Sequence, residues 1–365
     1  MGTIAILGGG HGGFAAAVHL QLQGHRPILW SKQPKTLEKI RERGGLGYTG
    51  VLGDGFVPVQ VADDLARVVR QADVIMVCAP TTVHRLFAEA LAPVLPDRAA
   101  VFLNPGHTCG GLQFLQCLRR AGFSKRLVLG EGNTLTYACR KVGETEVAIH
   151  HQMRNVLVAS LPGDQVEEFV SAINPYYPDV VPCPTTLEPS LANMNAVIHP
   201  AGMILSAAWI EHTQGDFFFY ADAATQSVAR AMDAVDAERL SIARGWGLHD
   251  QPDLPTLLAR HGFAPPEAAR CGSSLEALLA SPAPKRIRAP ESLEHRYIYE
   301  DVPFGLVPLA ELARVVGVDV PVIRGIITLA SICNAVDYGK TGLTLAALGL
   351  EGCSRDEIWR RLTTG

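Results

Sequence analysis

A glycine-rich turn near the start of the chain constrains the fold more than any other feature. It lies between the apolar run Thr3–Leu7 and the helical pattern Phe14–Gln23, and its residues are Gly8, Gly9, Gly10, His11, Gly12 and Gly13. In this context the first glycine of G-x-G-x-x-G permits a tight turn, the second lets the backbone approach a pyrophosphate, and the third allows close helix packing. The helix N-terminus then favours phosphates. The turn predicts a dinucleotide-binding site; the alternative is a turn that is merely rich in glycine.

Strand and helix patterns alternate through the first half of the chain. Short apolar runs predict strands at Thr3–Leu7, Pro27–Trp30, Asp73–Ala79, Ala99–Leu103, Arg126–Leu129, Glu146–His150, Val156–Leu161 and Val180–Val181. Helical spacing of apolar residues predicts helices at Phe14–Gln23, Leu37–Arg43, Thr82–Leu95, Leu112–Arg120 and Asp164–Ala172. This alternation predicts an α/β Rossmann-type fold with a doubly wound parallel sheet.

The pattern changes after a proline-rich stretch. Residues Pro175–Pro189 contain five prolines, which is typical of a domain boundary. Helical periodicity follows at Glu188–Trp209, Ala221–Trp246, Pro308–Val316 and Pro321–Val336. We expect Ser281–Pro290 to be an exposed loop within this half. The chain is thus predicted to have a dinucleotide-binding domain over residues 1–186 and a mainly α-helical substrate and catalytic domain over residues 187–365.

The composition excludes several classes of protein. Apolar residues make up 48% of the chain and charged residues 19%, so the chain can bury a large core and is not disordered. The net charge of −4 offers no broad basic field to nucleic acid or anionic lipid. The uncharged stretch Pro189–Ile210 carries asparagines, a histidine and a second proline, which argue against a membrane helix. Eight cysteines without a C-x-x-C pair, and a start without a signal peptide, predict a cytoplasmic protein with reduced thiols and no metal site.

The residues after the second predicted strand bear on the choice of cofactor. Chains that bind NAD usually place Asp or Glu there, hydrogen-bonded to the ribose hydroxyls. Here Ser31 and Lys32 follow the strand, and they can donate to a 2′-phosphate and neutralise it. We therefore expect NADP(H); NAD(H) is the alternative if Lys32 is an ordinary solvated lysine. Pro80 and Asn104 follow two further strands, and the backbones at these positions are expected to line the cofactor groove, unless they belong to simple proline turns.

Polar residues in the helical half indicate a second site. Asn195 and His199 are four residues apart and share a helix face, although a lone histidine on an apolar helix is more often a core residue. In a later apolar stretch, Arg296 could bind a substrate carboxylate and Asp301 could fix the tautomer of an imidazole. Spacing alone does not show that Asp301 meets His199.

The chain resembles the opine dehydrogenases, the octopine and nopaline dehydrogenase family, over nearly its full length. The matching segments are Gly8–Gly13, Asn104–Gly106, Gly130–Glu131, Asn195–Pro200, Arg296–Asp301, and Gly305–Pro308 with Glu311 and Leu312. The resemblance implies a Rossmann domain, a helical domain and an active site between them, with His199 and Asp301 as a His–Asp pair. It also implies that Arg296 contacts the substrate carboxylate. Ser31 and Lys32 stand where several members carry an acid, a departure that bears on the cofactor and not on the fold.

The implied reaction is the reductive condensation of an amino acid with a 2-oxo acid, often pyruvate, to an N-(1-carboxyalkyl) amino acid. His199 is expected to act as general acid and base, Asp301 to orient it, and Asn195 to position the substrate or the nicotinamide amide. Glu131 could bind the amino-acid ammonium, and a structural capping carboxylate is the equal alternative. Hydride and proton transfer need no metal.

Two other functions stay open from the sequence. A ketopantoate-type reductase would reduce a 2-oxo acid without an amine, but such enzymes commonly use a lysine on the first helix of the second domain. No lysine lies between Lys141 and Lys285. A non-catalytic NAD(P)-binding sensor is favoured if the histidine and arginine prove unpaired in a closed apolar core. The expected partners are the two small substrates, and the apolar helices either pair with a second copy in a homodimer or belong to the core.

Overall fold

The computed structural model describes residues 1–270, 272–282 and 287–364. Its chain forms two compact units. Unit 1 comprises Met1–Gly106, Gly110–Thr186 and the C-terminal residues from Leu362, and unit 2 comprises His107–Cys109 and Leu187–Arg361. Cys271 and part of the predicted loop, residues 283–286, lie outside the described residues.

Unit 1 is an α/β unit that contains a main sheet and a second, smaller sheet. The strands of the unit are β1 (Thr3–Leu7), β2 (Arg26–Trp30), β3 (Gly45–Gly50), β4 (Gly55–Pro58), β5 (Gln60–Val61), β6 (Val74–Val77), β7 (Ala99–Leu103), β8 (Leu127–Gly132), β9 (Tyr137–Gly143), β10 (Glu146–Gln152), β11 (Leu157–Leu161) and β12 (Val181–Pro182). Eight of them form the main sheet in the order β12-β11-β8-β7-β6-β1-β2-β5. The predicted Rossmann-type architecture is confirmed, and its central strands are buried and parallel.

One neighbouring pair in the main sheet departs from the predicted parallel arrangement. β11 runs antiparallel to β8. A parallel connection needs a crossover, usually a helix, and the chain between these two strands forms β9 and β10 instead. The predicted strand Glu146–His150 therefore exists, as part of β10, but it belongs to a second sheet.

The second sheet has the order β4-β3-β10-β9. The sequence prediction missed three of these strands, because β3 (GLGYTG) is glycine-rich and β9 (YACRKVG) mixes charged with apolar residues. Such strands lack the continuous apolar run that identifies the buried strands of a parallel sheet.

The helices of unit 1 are α1 (His11–Leu22), α2 (Lys35–Arg43), α3 (Leu65–Gln71), α4 (His84–Leu91), α5 (Gly110–Arg120) and α6 (Val166–Ile173). Helix α1 packs against strands of both sheets, and all its residues from Gly13 to Leu20 are buried. A helix that is apolar on every face needs such enclosure. The part of α1 that follows the glycine-rich turn is thus enclosed on all sides.

Unit 2 is helical, as predicted. Its helices are α7 (Leu187–Leu191), α8 (Met194–Leu205), α9 (Ala207–Thr213), α10 (Gln226–Gly245), α11 (Leu254–Arg260), α12 (Ser274–Ala280), α13 (Arg296–Tyr299), α14 (Val307–Val315), α15 (Pro321–Cys333), α16 (Tyr338–Thr341) and α17 (Arg355–Thr363), of which the last ends in unit 1. The predicted helix Glu188–Trp209 is broken into three, and the Asn193 side chain caps α8 by accepting the N–H of Asn195. Throughout the described part of the chain, every helix is too short or too polar to cross a membrane.

The centre of unit 2 holds a buried ion pair on α10. Arg239 is fully buried, and its Nε donates to Oδ1 of Asp236 at 2.8 Å. Its other nitrogens donate to the carbonyl oxygens of Leu191 and Pro252. Asp236 in turn accepts the N–H of Leu254. The ion pair therefore connects α10 to the last residue of α7 and to the residues around the start of α11.

The prediction of an exposed loop at Ser281–Pro290 is only partly right for the residues described. Ser281 and Ala289 are buried, and Arg288 forms a β-bridge with Phe218. The loop is therefore fastened to the segment that precedes Tyr220.

Candidate active site

The glycine-rich turn of unit 1 has the shape that a dinucleotide phosphate needs. Gly8 has a φ of +135°, and a Cβ there would lie 2.2 Å from the carbonyl oxygen of Cys78. A Cβ on Gly13 would lie 1.9 Å from the carbonyl oxygen of Gly8, so only glycine allows α1 to pack on the turn. A Cβ on Gly10 would meet no atom within 4 Å. This open space at the N-terminus of α1 fits the pyrophosphate of NAD(P).

The second sheet holds the first turn of α1. Nδ1 of His11 accepts the backbone N–H of Lys141 at 2.9 Å. The Lys141 ammonium donates to the carbonyl oxygen of Gly9 at 3.4 Å and lies 4.0 Å from the centre of the Phe14 ring. Burial lowers the pKa of Lys141. The sequence prediction missed this cation beside the turn because β9 was not predicted to be a strand.

Ser31 and Lys32 follow β2, as the sequence indicates. Ser31 is half-buried and its Oγ accepts the N–H of Gln33 at 3.2 Å, while Lys32 is exposed. The exposed ammonium has room to move toward a ribose 2′-phosphate, and the arrangement also leaves room for unphosphorylated NAD(H).

Pro80 and Asn104 have different settings in unit 1. Pro80 is exposed after β6, at the carboxyl edge of the main sheet. Asn104 is fully buried after β7, where its amide donates to Oγ1 of Thr136 at 2.9 Å and its Oδ1 accepts the Thr136 N–H at 3.1 Å. Both ends of this amide are used inside the protein, so the contacts fix the Asn104 side chain, and the lining of the cofactor groove by the backbone at this position stays a prediction.

The Glu131 carboxyl is fully buried under the N-terminus of α5. It accepts the N–H of Gly111 at 2.7 Å, and its burial raises its pKa to about 8. A Cβ on Gly106 would lie 2.0 Å from its Oε2, so the backbone closes over the carboxyl. Of the two interpretations that the sequence leaves equally open, this position favours the structural capping carboxyl over a contact with a substrate ammonium.

His199 and Asp301 lie together in unit 2. Nδ1 of His199, on α8, is 2.7 Å from Oδ2 of Asp301, which follows α13. Their side chains are 8% and 2% exposed. A carboxylate only accepts hydrogen bonds, so Nδ1 carries the hydrogen and Nε2 is the basic nitrogen of the neutral ring. The pair can therefore take up and release a proton at Nε2.

Two tyrosines that the sequence prediction missed enclose the imidazole. The Tyr220 hydroxyl lies 2.5 Å from Nε2 of His199, and the Tyr297 ring stacks on the imidazole with centroids 3.6 Å apart. The two tyrosine hydroxyls are 3.2 Å apart. Tyr297 stands beside the predicted Arg296 in the sequence, but Tyr220 lies in an irregular segment whose position no periodicity indicates.

Arg296 is held by a second acidic residue. Its Nη2 lies 2.8 Å from Oε2 of Glu300, which is fully buried, and Oε1 of Glu300 lies 3.2 Å from Nε2 of His107. The Arg296 side chain is 39% exposed. Glu300 thus fixes one nitrogen of the guanidinium, and a guanidinium has further N–H groups that can bind a carboxylate. The sequence prediction missed the positioning role of Glu300.

Asn195 lies one helical turn before His199 on α8 and is half-buried. The start of α8 is hydrogen-bonded to the segment His107–Cys109, which also belongs to unit 2, since Nδ2 of Asn193 donates to Oγ1 of Thr108 at 3.1 Å. The predicted residues of the helical half therefore stand on elements that other contacts fix.

Family models match both units. Residues 182–334 match the NAD/NADP octopine/nopaline dehydrogenase, alpha-helical domain, and residues 3–116 match the NAD-dependent glycerol-3-phosphate dehydrogenase N-terminus. With the dinucleotide turn and the His–Asp pair, these matches define an NAD(P)-dependent oxidoreductase.

Relatives of known name align over almost the whole chain. The opine dehydrogenase of Arthrobacter sp. (strain 1C) is 32% identical over 351 residues, which cover 96% of this chain and 96% of that protein. Protein ocs of Agrobacterium tumefaciens (strain Ach5) is 28% identical over 368 residues, which cover 99% of both. The chain belongs to the opine dehydrogenase family and is an NAD(P)-dependent oxidoreductase of the type that acts on the CH–NH bond of an opine.

Solved structures share the fold. Octopine dehydrogenase in complex with NADH and agmatine aligns with a TM-score of 0.77 and 19% identity, covering 100% of this chain and 99% of that chain. Yersinopine dehydrogenase with NADP⁺ bound aligns with a TM-score of 0.69 and 15% identity, covering 98% of both. A ketopantoate reductase from Ralstonia eutropha JMP134 gives a TM-score of 0.62 and 19% identity, covering 91% of this chain and 98% of that one.

Proposed function

We propose that the protein uses NADP(H) to join an amino acid to a 2-oxo acid, with pyruvate as the first choice, and to reduce the imine to an N-(1-carboxyalkyl) amino acid. The observation that carries the proposal is the buried contact between His199 and Asp301, in the same unit as the partly exposed Arg296. When bound, the nicotinamide supplies the hydride that reduces the imine carbon.

The condensation moves two protons from nitrogen to oxygen. His199 accepts a proton from the amino-acid ammonium, which frees the lone pair that attacks the keto carbon. The imidazolium returns this proton to the oxygen of the carbinolamine, and a second proton follows the same route, so that the oxygen leaves as water and the C=N bond forms. Asp301 accepts the Nδ1–H throughout and stabilises the imidazolium between transfers.

Arg296 binds a carboxylate of the substrate, and Glu300 keeps the guanidinium in position. Asn195, one turn before His199 on α8, offers its amide to the substrate or to the nicotinamide amide. These contacts orient the reacting carbon, which is the main contribution of binding groups that take no part in proton transfer.

The preference for NADP(H) rests on Ser31 and Lys32. No carboxylate follows β2 to repel a 2′-phosphate, and the exposed Lys32 can neutralise it. Among the solved relatives, octopine dehydrogenase is described with NADH and yersinopine dehydrogenase with NADP⁺, so the family accommodates both cofactors.

The test is oxidation of NADPH or NADH by the purified protein with pyruvate, in the presence and absence of a panel of amino acids. We expect oxidation that depends on an amino acid, a lower KM for NADPH than for NADH, and a secondary-amine product identified by mass spectrometry. Oxidation that is independent of any amine would instead support a 2-oxo acid reductase. Cofactor binding without turnover across the panel would support the sensor.

A further inference from the structure

Both nitrogens of the His199 imidazole are already engaged inside unit 2. Nδ1 faces Oδ2 of Asp301 at 2.7 Å and Nε2 faces the Tyr220 hydroxyl at 2.5 Å. Stacking against Tyr297, with the ring planes 14° apart, keeps the imidazole from turning away. A general acid or base must lie within hydrogen-bond reach of the atom it serves. At Nε2, that place is filled by the Tyr220 oxygen.

The hydrogens of this cluster have two consistent arrangements. When the imidazole is neutral, the Tyr220 O–H donates to Nε2. When the imidazole is protonated, Nε2–H donates to the Tyr220 oxygen, and the Tyr220 O–H donates to the Tyr297 oxygen or, during turnover, to a substrate atom. When the ring is protonated, the Tyr220 proton moves to Nε2 and the Tyr220 oxygen takes up a second proton from outside, which is what a proton relay requires.

Exposure increases from the imidazole outward. His199 and Asp301 are buried, whereas Tyr220 and Tyr297 are each partly exposed. The charged groups around the Tyr220 hydroxyl are Asp301 and Arg296, and the same hydroxyl faces His199 and Tyr297. Burial raises the pKa of Tyr220 well above its ordinary value, so the phenol keeps its proton until it hands it to an acceptor. The Tyr220 hydroxyl is thus a protonated group that adjoins the imidazole and belongs to a partly exposed residue.

We infer that the Tyr220 hydroxyl is the catalytic group that exchanges protons with the substrate, and that His199 acts through it. The inference rests on the proposed opine-forming reaction. As water leaves the carbinolamine, the Tyr220 O–H bond breaks and its proton forms a bond to the departing oxygen, which takes the C–O electron pair. The phenolate oxygen takes the proton of Nε2–H, and the imidazolium returns to the neutral ring with its Nδ1–H on Asp301.

The main test is Tyr220→Phe, which removes the hydroxyl and keeps the ring. We expect kcat to fall about 10²-fold or more, the usual cost of a lost acid–base group, with cofactor Kd and thermal stability unchanged. Tyr299→Phe is the matched control, since Tyr299 is exposed and belongs to the same short helix as Tyr297. A kcat of Tyr220→Phe within about threefold of the wild type would overturn the inference, because His199 would then serve the substrate directly.

A second measurement separates proton transfer from mere support of the imidazole. Replacing Tyr220 by a ring-fluorinated tyrosine lowers the phenol pKa and keeps the shape. Because the acidity of a proton donor sets the rate of its transfer, we expect kcat to change progressively along a series of tyrosines with increasing fluorination. A kcat that stays constant along the series in folded, active protein would show a structural hydroxyl and overturn the inference.

A readout without substrate keeps this inference distinct from the proposed function. In ¹⁵N NMR spectra of the wild type, the Nε2 resonance of His199 should be that of a hydrogen-bonded nitrogen, and it should shift in Tyr220→Phe. If no amine and 2-oxo acid pair is turned over, the proposed function fails, while an unshifted Nε2 resonance would show that the contact, and with it the relay, is absent.

Discussion

Nδ1 of His199 lies 2.7 Å from Oδ2 of Asp301, although 102 residues separate the two in the chain. The two side chains reach each other because α8 and α13 pack together in unit 2. A buried carboxylate facing a buried imidazole fixes the tautomer of the ring and stabilises its protonated form. This relationship gives the helical unit an imidazole that is held in one orientation by a buried carboxylate.

Replacing His199 by alanine should lower kcat by about 10²–10⁴-fold, the range measured for lost acid–base groups. The cofactor Kd should not change, because the glycine-rich turn belongs to unit 1. Steady-state kinetics and fluorescence titration with NADPH check the two quantities. The control is His212→Ala, which removes an exposed histidine of α9. Retention of wild-type kcat would remove His199 from the chemistry.

Replacing Lys32 by aspartate should shift the preference from NADPH toward NADH. The exposed ammonium no longer neutralises a 2′-phosphate, and the new carboxylate repels it while accepting from ribose hydroxyls. The ratio of kcat/KM for the two cofactors measures the effect. Lys340→Asp, at an exposed position in unit 2, is the control and should leave the ratio unchanged. An unchanged ratio in Lys32→Asp would contradict the assignment.

Replacing Glu131 by glutamine should flatten the dependence of stability on pH. Burial raises the pKa of Glu131 to about 8 from an ordinary 4.5, so its contribution is full below pH 4.5 and is lost as the pH rises toward 8. Over that window the wild type should lose up to about 4 kcal/mol more than the variant. Urea unfolding at pH 5 and pH 8 gives the comparison. Equal losses in both proteins would show that the carboxyl is not buried as described.

Replacing Arg239 by methionine should destabilise the protein by about 3–5 kcal/mol, because Asp236 then keeps a buried charge without its partner. Combining this change with Asp236→Leu should recover much of the loss, since no charge is left buried. Thermal or urea unfolding measures both. Arg230→Met, at an exposed position of α10, should change stability by less than about 0.5 kcal/mol. A double variant less stable than the single one would contradict this account.

The sequence predicts the dinucleotide turn and the central strands well, because both follow from local rules. Gly8 and Gly13 must be glycines for steric reasons that the G-x-G-x-x-G spacing already expresses. The run Val74–Val77 is buried on both faces and therefore has no polar alternation. Three strands of the second sheet were missed, since β3 is rich in glycine and β9 mixes charged with apolar residues.

Among the site residues, too, the sequence identifies those with a local signal and misses those that depend on tertiary contacts. His199 and Arg296 stand out in the sequence because they are polar residues in apolar surroundings. Tyr220 does not stand out, because tyrosine is common in cores and its segment shows neither helical nor strand periodicity. The burial of Asn104 and Glu131 depends on Thr136 and on the backbone of α5, which are tertiary contacts. Motif spacing places these two residues near the sheet edge, but it does not show where their side chains point.

The tripeptide His107–Cys109 belongs to unit 2 although unit 1 surrounds it in the chain. Its His107 imidazole faces Glu300, and its Thr108 hydroxyl oxygen accepts a hydrogen bond from the side-chain amide of Asn193. Unit 2 is therefore not encoded by one continuous stretch of the gene. A chimera that exchanges unit 2 between relatives must therefore exchange these three residues as well. Without them, Glu300 lacks the imidazole of His107, and α8 lacks the hydrogen bond from Asn193 to Thr108.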